Sequence, residues 1–425
     1  MTREIKQIKK TEIVSTVLSD GSIIETVLNP KRNKTSLAVW QKGKFEIVEK
    51  YEDGFGNVLI PLKTSASLLE NRIILFPSKP VDFDSKEQLI LEIQQFIHKY
   101  VDVSPIFEKI CCYYVLLSWV HDNFNELPYL RKRGDFGSGK TRFLQTIGSL
   151  CYKPIFASGG TSTAALFHMT DKYKGTLIID EADFTFSDEK AAISKILNNG
   201  NVRGFPILRM KKDKTGNFTP VGYTVYGPKI IAARGYYQDP ALESRFISEN
   251  STPREIRENM PVSLPDSFQD EALILRNKLL MYRFMNLGKR KSSQSQVAIY
   301  DPRIKQIFSP LLSIVDDEDT QREIVNLADE YSQELSLERG MNVEANVLSV
   351  IKIILDEKRK LTMKEISNEF FLLYGENYER KITPKWIGWI IRKKLNLTTF
   401  RGNEGYAIKP GQKKKLQMYF IRYGV

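Results

Sequence analysis

The sequence predicts a multi-domain α/β protein whose centre is a parallel β-sheet with crossover helices. Three observations carry this prediction. A chain of 425 residues is too long for one hydrophobic core of ordinary size. Between 127 and about 250, short β segments alternate with helical patterns, which is typical of a parallel sheet. Residues 340–425 show three helices followed by a β-hairpin, the order of a winged helix.

These patterns divide the chain into five segments. Residues 12–62 alternate β-rich runs with turn clusters, which predicts a small antiparallel β module of four or five strands. The predicted segments are the N-terminal β module at 1–80, a helical linker at 81–126, the α/β core at 127–265, a helical lid at 266–338 and the winged helix at 340–425.

Composition indicates a polyanionic partner. The 63 Lys and Arg residues exceed the 51 Asp and Glu residues, which gives a net charge of +12. No apolar stretch reaches the ~20 residues that a bilayer requires, so we expect a cytoplasmic protein without a membrane partner. Cys111 and Cys112 lie in an apolar helical pattern and are expected to be buried thiols in a reducing compartment. The histidines His98, His121 and His168 are scattered and are expected to be structural.

A glycine-rich segment, GDFGSGKT, fits the phosphate-binding pattern G-x-x-x-x-G-K-[ST]. Backbone N–H groups of such a loop surround phosphate oxygens, and the following helix directs its positive end at them. Lys140 would contact the outer phosphates of ATP, and Thr141 would ligate Mg²⁺. The alternative is a glycine-rich turn that binds nothing. The preceding strand ends in RKR, so we expect it to be short or to lie at the rim of the sheet. The predicted nucleotide-binding residues are Gly134, Gly137, Ser138, Gly139, Lys140 and Thr141.

An acidic pair follows an apolar run in GTLIIDEAD, residues 175–183. Asp180 would hold Mg²⁺ through water, and Glu181 would orient or deprotonate the attacking water. A DE pair after a strand can also be a solvated loop. Together with the glycine-rich loop about 40 residues upstream, the pair predicts an ATPase that uses ATP and Mg²⁺.

A single arginine, Arg245, follows the predicted strand PKIIAA on a short helix-like segment, DPALESRFI. An arginine at this place cannot easily reach the nucleotide of its own chain. It can reach the γ-phosphate held by a neighbouring subunit, where it would stabilise transition-state charge. This interpretation implies a ring of identical subunits, whereas the alternative is a surface salt bridge.

Residues 205–227 predict a β-hairpin with a tight turn at Asp213 to Asn217, just before the PKIIAA strand. Lysines raised on such a tip could line the channel of a ring and grip a DNA backbone without regard to sequence. The alternative is a solvated hairpin whose lysines protect a sheet edge. The basic residues are Arg209, Lys211, Lys212 and Lys214, with Phe218 beside them.

Together these motifs resemble AAA+ ATPases of the branch with a hairpin before the sensor-1 strand, which includes superfamily 3 and minichromosome maintenance helicases. The run GxxGSGKTR, TLIIDEADF, YGPKIIAAR and DPALESRF is similar to helicase-like ATPases of bacterial and archaeal genomes and mobile elements. The resemblance covers roughly 110–290. It implies a parallel-sheet AAA+ core and a hexameric, DNA-dependent ATPase.

Two positions depart from the family pattern. The sensor-1 position, usually Asn, Thr or Ser, falls near Ala233 and Arg234. No plain sensor-2 signature is present, and Arg276 and Arg283 of the lid are the candidates.

Basic residues also cluster on the third helix and the hairpin of the predicted winged helix. If the helix enters a major groove, this cluster meets phosphates, and residues near Lys385 approach base edges. Trp386, Trp389 and Ile390 recur at helical spacing and are expected in the core of the domain. The alternative for the domain is protein contacts or plain packing. The predicted DNA-binding residues are Lys385, Arg392, Lys393, Lys394 and Arg401.

Two functions follow from these predictions. The first is a DNA helicase or translocase that binds single-stranded or forked DNA and acts in replication of a plasmid, virus or integrated element. The alternative is an ATP-switched DNA-binding initiator or transcription regulator without unwinding activity. The N-terminal β module could serve either function as an oligomerisation collar or a DNA-binding barrel.

Overall fold

A computed structural model gives the structure of this protein. It describes residues 10–54, 56–180, 188–212, 216–237, 239–251, 257–289, 301–340, 343–375, 382–402 and 404–425. The chain forms two compact units, one comprising Met1–Gln296 and Gln306–Ile324 and the other Val297–Lys305 and Val325–Val425. None of the described helices combines the length and apolar character needed to cross a lipid bilayer.

The N-terminal part contains seven strands among the described residues, in two sheets rather than the expected single antiparallel module. One sheet is antiparallel with the order β2-β3-β4-β5, and the other has the order β1-β7-β6 with β1 parallel to β7. The expected four or five strands were wrong for two reasons. The run TEIVSTVL divides at Val14, whose carbonyl accepts hydrogen bonds from Thr26 N–H and the Lys153 ammonium. Tyr51–Glu52 form a further short strand. The strands are β1 Lys10–Ile13, β2 Ser15–Val17, β3 Ile23–Asn29, β4 Lys34–Gln41, β5 Lys44–Val48, β6 Tyr51–Glu52 and β7 Val58–Pro61.

Three helices lead from these sheets to the core. They are α1 Ala66–Glu70, α2 Lys86–Tyr100 and α3 Pro105–Trp119. Ser85 caps α2, since its hydroxyl accepts a hydrogen bond from Gln88 N–H. Pro105 occupies the first turn of α3, where its missing N–H costs nothing.

The core is a five-stranded parallel sheet with helices on both faces, as the alternation of β and helical patterns predicts. Its elements are β8 Tyr129–Arg133, α4 Lys140–Leu150, β9 Ile155–Ala157, α5 Thr163–Tyr173, β10 Leu177–Ile179, α6 Asp188–Asn199, β13 Lys229–Ala233, α7 Pro240–Glu243 and β14 Phe246–Asn250. The strand order in the sheet is β14-β8-β13-β10-β9. The predicted β segments of the core are PYL, PIFAS, TLIID and PKIIAA. The fifth strand, β14, was not among them, because its short sequence FISEN follows a helical segment without a turn signal.

The strand before the glycine-rich loop is neither short nor at the rim. β8 has five residues and lies between β14 and β13, and its three basic side chains are buried. Arg131 binds the Glu243 carboxylate, while the Lys132 ammonium donates to the Asp102 carbonyl at 3.0 Å. These cations can be buried because each donates hydrogen bonds to acceptors in the fold. The pattern of apolar and polar residues in the sequence does not show those acceptors, so it could not predict that the strand is central.

A β-hairpin, β11 Ile207–Lys212 and β12 Phe218–Tyr223, precedes β13 and confirms the two predicted hairpin strands. Residues 213–215 of the predicted turn lie outside the described residues. After the core, the described helices are α8 Phe268–Asn286, α9 Pro302–Leu312 and α10 Glu318–Gly340. The polar stretch GKRKSSQSQ, residues 288–296, interrupts the helical pattern of the lid, which predicts a loop, and it lies largely outside the described residues.

From Val343 onward, the described residues of the C-terminal unit form three helices, a hairpin and a further helix in that order. Thr362 and Thr383 cap the second and third helices through hydrogen bonds from Glu365 N–H and Trp386 N–H. The basic C-terminal tail, which includes QKKKLQMYFIR at 412–422, forms the last helix. The sequence did not predict this helix, which packs through buried Leu416. The elements are α11 Val343–Asp356, α12 Met363–Tyr374, α13 Pro384–Trp389 with a π-helical turn at Ile390–Lys394, β15 Thr399–Gly402, β16 Gly405–Ile408 and α14 Lys413–Tyr423.

Candidate nucleotide site and DNA-contact surfaces

The glycine-rich loop connects β8 to α4, which is the strand-loop-helix context that the motif requires. Gly137 and Gly139 have φ of +77° and +74°, a conformation that favours glycine. A Cβ on Gly134 would lie 2.6 Å from Ser251 Cβ, so only glycine fits there. The glycines therefore set the shape of a loop whose N–H groups and helix end can receive phosphate.

Lys140 is the first residue of α4, and its ammonium folds back over the loop. It donates to the carbonyls of Gly134 and Asp135, each at 2.6 Å. Ser138 Oγ donates to the Asp135 carbonyl at 2.8 Å and closes the same turn. A cation on a flexible stem at this place can exchange carbonyl oxygens for phosphate oxygens, which form stronger charge-assisted hydrogen bonds.

The structure brings the two predicted magnesium ligands together. Thr141 Oγ1 donates to Asp180 Oδ2 at 2.7 Å. Asp180 directly follows β10, and β13 separates that strand from β8. Hard oxygen donors of this kind suit Mg²⁺, which commonly takes one or two protein ligands and completes its shell with phosphate and water. Thr141 and Asp180 therefore fit a magnesium ion bound together with a nucleotide.

Glu181, the predicted catalytic carboxylate, lies outside the described residues. No group of three or more His, Cys, Asp and Glu side chains that could hold a metal ion occurs in the part of the chain that the structure describes. A metal at Thr141 and Asp180 would take further oxygen ligands from phosphate and water.

Two arginines beside the loop were missed by sequence reasoning. Arg142 donates to the carbonyls of Pro261 and Val262, at 3.0 and 2.7 Å, and holds that segment against α4. The Arg133 guanidinium lies 3.2 Å from the centroid of the Tyr236 ring. Neither contact has a sequence signal, because the partners are more than 100 residues away.

Arg245 lies between α7 and β14, at the amino end of that strand. Its Nε donates to Asn201 Oδ1 at 2.9 Å and its Nη1 to Asn198 Oδ1 at 2.7 Å. Arg245 O accepts from Tyr129 N–H at the start of β8. Because β14 and β8 are parallel, Arg245 lies at the amino ends of the strands, whereas the glycine-rich loop lies at their carboxyl ends. The five residues of each strand separate these two ends of the sheet by about 16 Å.

The hairpin presents the predicted basic side chains to solvent. Lys211 and Lys212 are exposed, and Arg209 is exposed with its guanidinium 5.4 Å from the Phe167 ring centroid. Lys214 lies outside the described residues. Phe218 pairs with Lys212 across the strands and is 65% exposed.

The sensor-2 candidates are structural residues in this fold. The Arg283 guanidinium is buried and binds the carboxylates of Glu25 and Asp122, each at 2.6 Å. Arg276 is also buried and donates to the Ser149 carbonyl at 2.8 Å, near the end of α4 remote from the loop. Ala233 and Arg234, the sensor-1 candidates, lie at the carboxyl end of β13, between the strands of the loop and of Asp180.

The basic side chains predicted on the C-terminal unit are exposed on the π-helical turn, α13 and β15. One of them, Lys394, forms an ion pair with Glu344 at 3.7 Å. Ile390 is buried and Trp386 packs on the core, but Trp389 is 48% exposed and is not a core residue. Leu395 and Ile387 instead fill the core beside Ile390. The exposed predicted set is Lys385, Arg392, Lys393, Lys394 and Arg401.

No family model and no curated protein matches this sequence. In structure, the chain is similar to the apo C-terminal region of NrS-1, at 13% identity and a TM-score of 0.39, over 91% of this chain and 95% of that one. It is also similar to the JCV helicase, at 14% identity and a TM-score of 0.25, over 65% and 66%. A third similarity is to a full-length MCM homolog from Methanopyrus kandleri, at 10% identity and a TM-score of 0.31, over 73% and 77%. At these identities and TM-scores, none of the three assigns a function to this chain.

Proposed function

We propose that this protein is a Mg²⁺-dependent ATPase that works as a homo-oligomeric, hexameric ring and moves along or unwinds DNA. The observation that carries the ATPase is the hydrogen bond between Thr141 and Asp180, at 2.7 Å, at the end of a glycine-rich loop. A chance glycine-rich turn has no reason to place its threonine against the carboxylate of a second strand. The pair supports a metal-dependent nucleotide site.

In this proposal each residue of the site has one role. Loop N–H groups and Lys140 bind the phosphates, Thr141 and Asp180 hold Mg²⁺, and Glu181 orients the attacking water. The Lys140 ammonium would neutralise part of the negative charge that develops on the transferred phosphoryl group, and Mg²⁺ held by Thr141 and Asp180 would supply Lewis-acid stabilisation of the same charge.

The ring is supported by the place of Arg245. An arginine side chain reaches about 7 Å, whereas the sheet separates Arg245 from its own loop by about 16 Å. A second copy of the chain could place its Arg245 next to the glycine-rich loop of the first copy and would thereby supply the missing cation. In this proposal the side chains of Asn198 and Asn201 orient the Arg245 guanidinium by accepting its hydrogen bonds.

DNA as the partner is supported by exposed basic side chains on two elements. The hairpin carries Lys211 and Lys212 beside an exposed aromatic ring, which suits single strands. The C-terminal unit, read as a winged helix, would contact duplex DNA. By resemblance to helicases of mobile elements, we place the activity in replication of such an element.

Complementation of two inactive variants tests whether the ATP site lies between two subunits. Lys140→Ala removes the phosphate-binding cation, and Arg245→Ala removes the trans cation, so each variant alone should lose ATP hydrolysis. In a mixed ring, some subunit interfaces combine the intact loop of the Arg245→Ala variant with the intact arginine of the Lys140→Ala variant. Hydrolysis should therefore return on mixing. Arg245→Lys serves as the control for charge without the fork of donors. A mixture that stays inactive, although both variants assemble, would remove Arg245 from the neighbour's site.

A further inference from the structure

A cavity of about 390 Å³ lies in the C-terminal unit between α12, α13 and the hairpin. Lys364, Lys385 and Arg392 line it, with one carboxylate, that of Glu404. Glu404 is already paired with Lys360 at 2.7 Å. The cavity therefore has an excess of positive charge and suits an anionic ligand.

An aromatic face forms one wall of this cavity. The Tyr406 ring is 52% exposed, and the Arg392 guanidinium lies 5.8 Å from its centroid. Arg392 reaches this place by passing over Gly388, where a Cβ would lie 2.9 Å from Arg392 Nη1. Glycine within a helix is unfavourable relative to alanine, and here it leaves the room that the guanidinium occupies.

The strand register fixes which side chains belong to the cavity. Tyr406 pairs with Arg401, while Phe400 pairs with Ala407, so Phe400 points to the other face of the hairpin. Phe400 is 42% exposed, similar to Tyr406. The hairpin therefore offers two exposed aromatic rings, of which one faces the cations.

We propose that this cavity binds one nucleotide of single-stranded DNA, with the base stacked on Tyr406 and the phosphate next to Lys364 and Lys385. The volume is at the small end of ligand sites, about 300–1,000 Å³, and has room for a single base rather than a helix. The face of a base is available to an aromatic ring only when the base is unstacked, as in a single strand. The inference rests on the DNA partner of the proposed function, but not on the ATPase, and it adds a single-strand contact to the duplex contact proposed for the C-terminal unit.

Binding of a fluorescent oligothymidine by the full chain without ATP tests the inference. Tyr406→Ala should weaken binding about tenfold, which is the effect of losing one stacked base. Tyr406→Trp should restore it, and Phe400→Ala, the matched control, should leave it unchanged. Gly388→Ala should also weaken binding, since its methyl group displaces Arg392 while charge and ring remain.

Two further ligands show whether the base, the DNA backbone or a free nucleotide accounts for binding. On an abasic strand of the same length, Tyr406→Ala should have no effect, because no base is present to stack. A mononucleotide, thymidine monophosphate, should compete only weakly if the site serves a strand. Equal losses for Tyr406→Ala and Phe400→Ala, or an undiminished loss on the abasic strand, would overturn the single-nucleotide site and leave the proposed function standing. Wild-type protein that binds no DNA would overturn the DNA partner itself.

Discussion

Thr141 and Asp180 lie 39 positions apart in the chain and share a hydrogen bond of 2.7 Å between hydroxyl and carboxylate. One residue belongs to the first turn of α4 and the other follows β10, so only the assembled sheet brings them together. Two oxygen ligands of this kind define where a magnesium ion would sit relative to the loop.

Removing the Thr141 hydroxyl should therefore act through the metal. We expect Thr141→Val, which keeps the shape, to lower ATP hydrolysis by about 10–100-fold and to raise the Mg²⁺ concentration at half-maximal activity. A magnesium titration of steady-state hydrolysis measures both effects. Thr141→Ser keeps the hydroxyl and should stay close to wild type. An unchanged magnesium dependence in the valine variant would contradict the assignment.

The hairpin lysines should serve DNA rather than hydrolysis. We expect Lys211→Ala with Lys212→Ala to abolish strand displacement and to leave basal ATP hydrolysis intact, because both side chains are exposed on β11. The salt dependence of single-strand binding should also fall, by a log–log slope of about 1.4 for two phosphate contacts.

The matched control for the hairpin is Lys31→Ala with Lys44→Ala, which removes the same charge from exposed positions of the N-terminal strands and their turns. Forked-substrate unwinding and binding at several salt concentrations distinguish the two double variants. Should both lose unwinding equally, the effect would be one of net charge and not of the hairpin.

Sequence reasoning located the candidate site because its signals are local. The loop motif spans eight residues and requires glycine at positions with positive φ, and Asp180 ends an apolar run that reads as a strand. The hairpin was predictable for the same reason, since two β-runs flank a turn. Glu181 and Lys214 stay predictions, as they lie outside the described residues.

What sequence could not predict depends on distant partners. From its sequence, the strand that contains Arg131 was expected to be short or at the rim of the sheet. Arg131 is instead buried, because it donates a hydrogen bond to Glu243, which lies more than 100 positions later. Arg283 reads as a candidate nucleotide contact, but Glu25 holds it in the interior. The division of the N-terminal strands at Val14 has the same origin, because Lys153 binds its carbonyl.

The three cysteines should be unreactive in the folded protein. All three are buried and free, and burial raises the pKa of the Cys151 thiol to about 12. Since the thiolate is the nucleophile, we expect a disulfide reagent such as DTNB to label none of Cys111, Cys112 and Cys151 at pH 8 in the native state. In denaturant all three should react. Rapid native labelling of Cys111 or Cys112 would show that α3 opens locally, and rapid labelling of Cys151 would show the same for the end of α4.

The carboxylate of Glu25 should make the stability of the first unit depend on pH. Glu25 is fully buried on β3, where the Tyr152 hydroxyl donates to it at 2.9 Å and the Lys153 ammonium at 2.5 Å. Burial alone would raise the pKa of this carboxyl, but the cations of Lys153 and Arg283 hold it below 4.5. Between the folded pKa and 4.5 the unfolded chain binds more protons at this position. This part of the stability is therefore present above pH 4.5 and is lost as pH falls through the folded pKa.

Glu25→Gln keeps the size of the side chain and removes its charge, which leaves two buried cations short of a partner. We expect it to lower the free energy of unfolding by about 3–5 kcal/mol at pH 7, as measured by urea denaturation. The variant should also lose less stability than wild type when the pH falls below 4.5, because the titrating group is gone. Glu46→Gln, at an exposed position on β5, removes the same charge from the same sheet and should change stability by less than about 0.5 kcal/mol. Equal stability of Glu25→Gln and Glu46→Gln would mean that the buried cluster does not hold the N-terminal strands to the core.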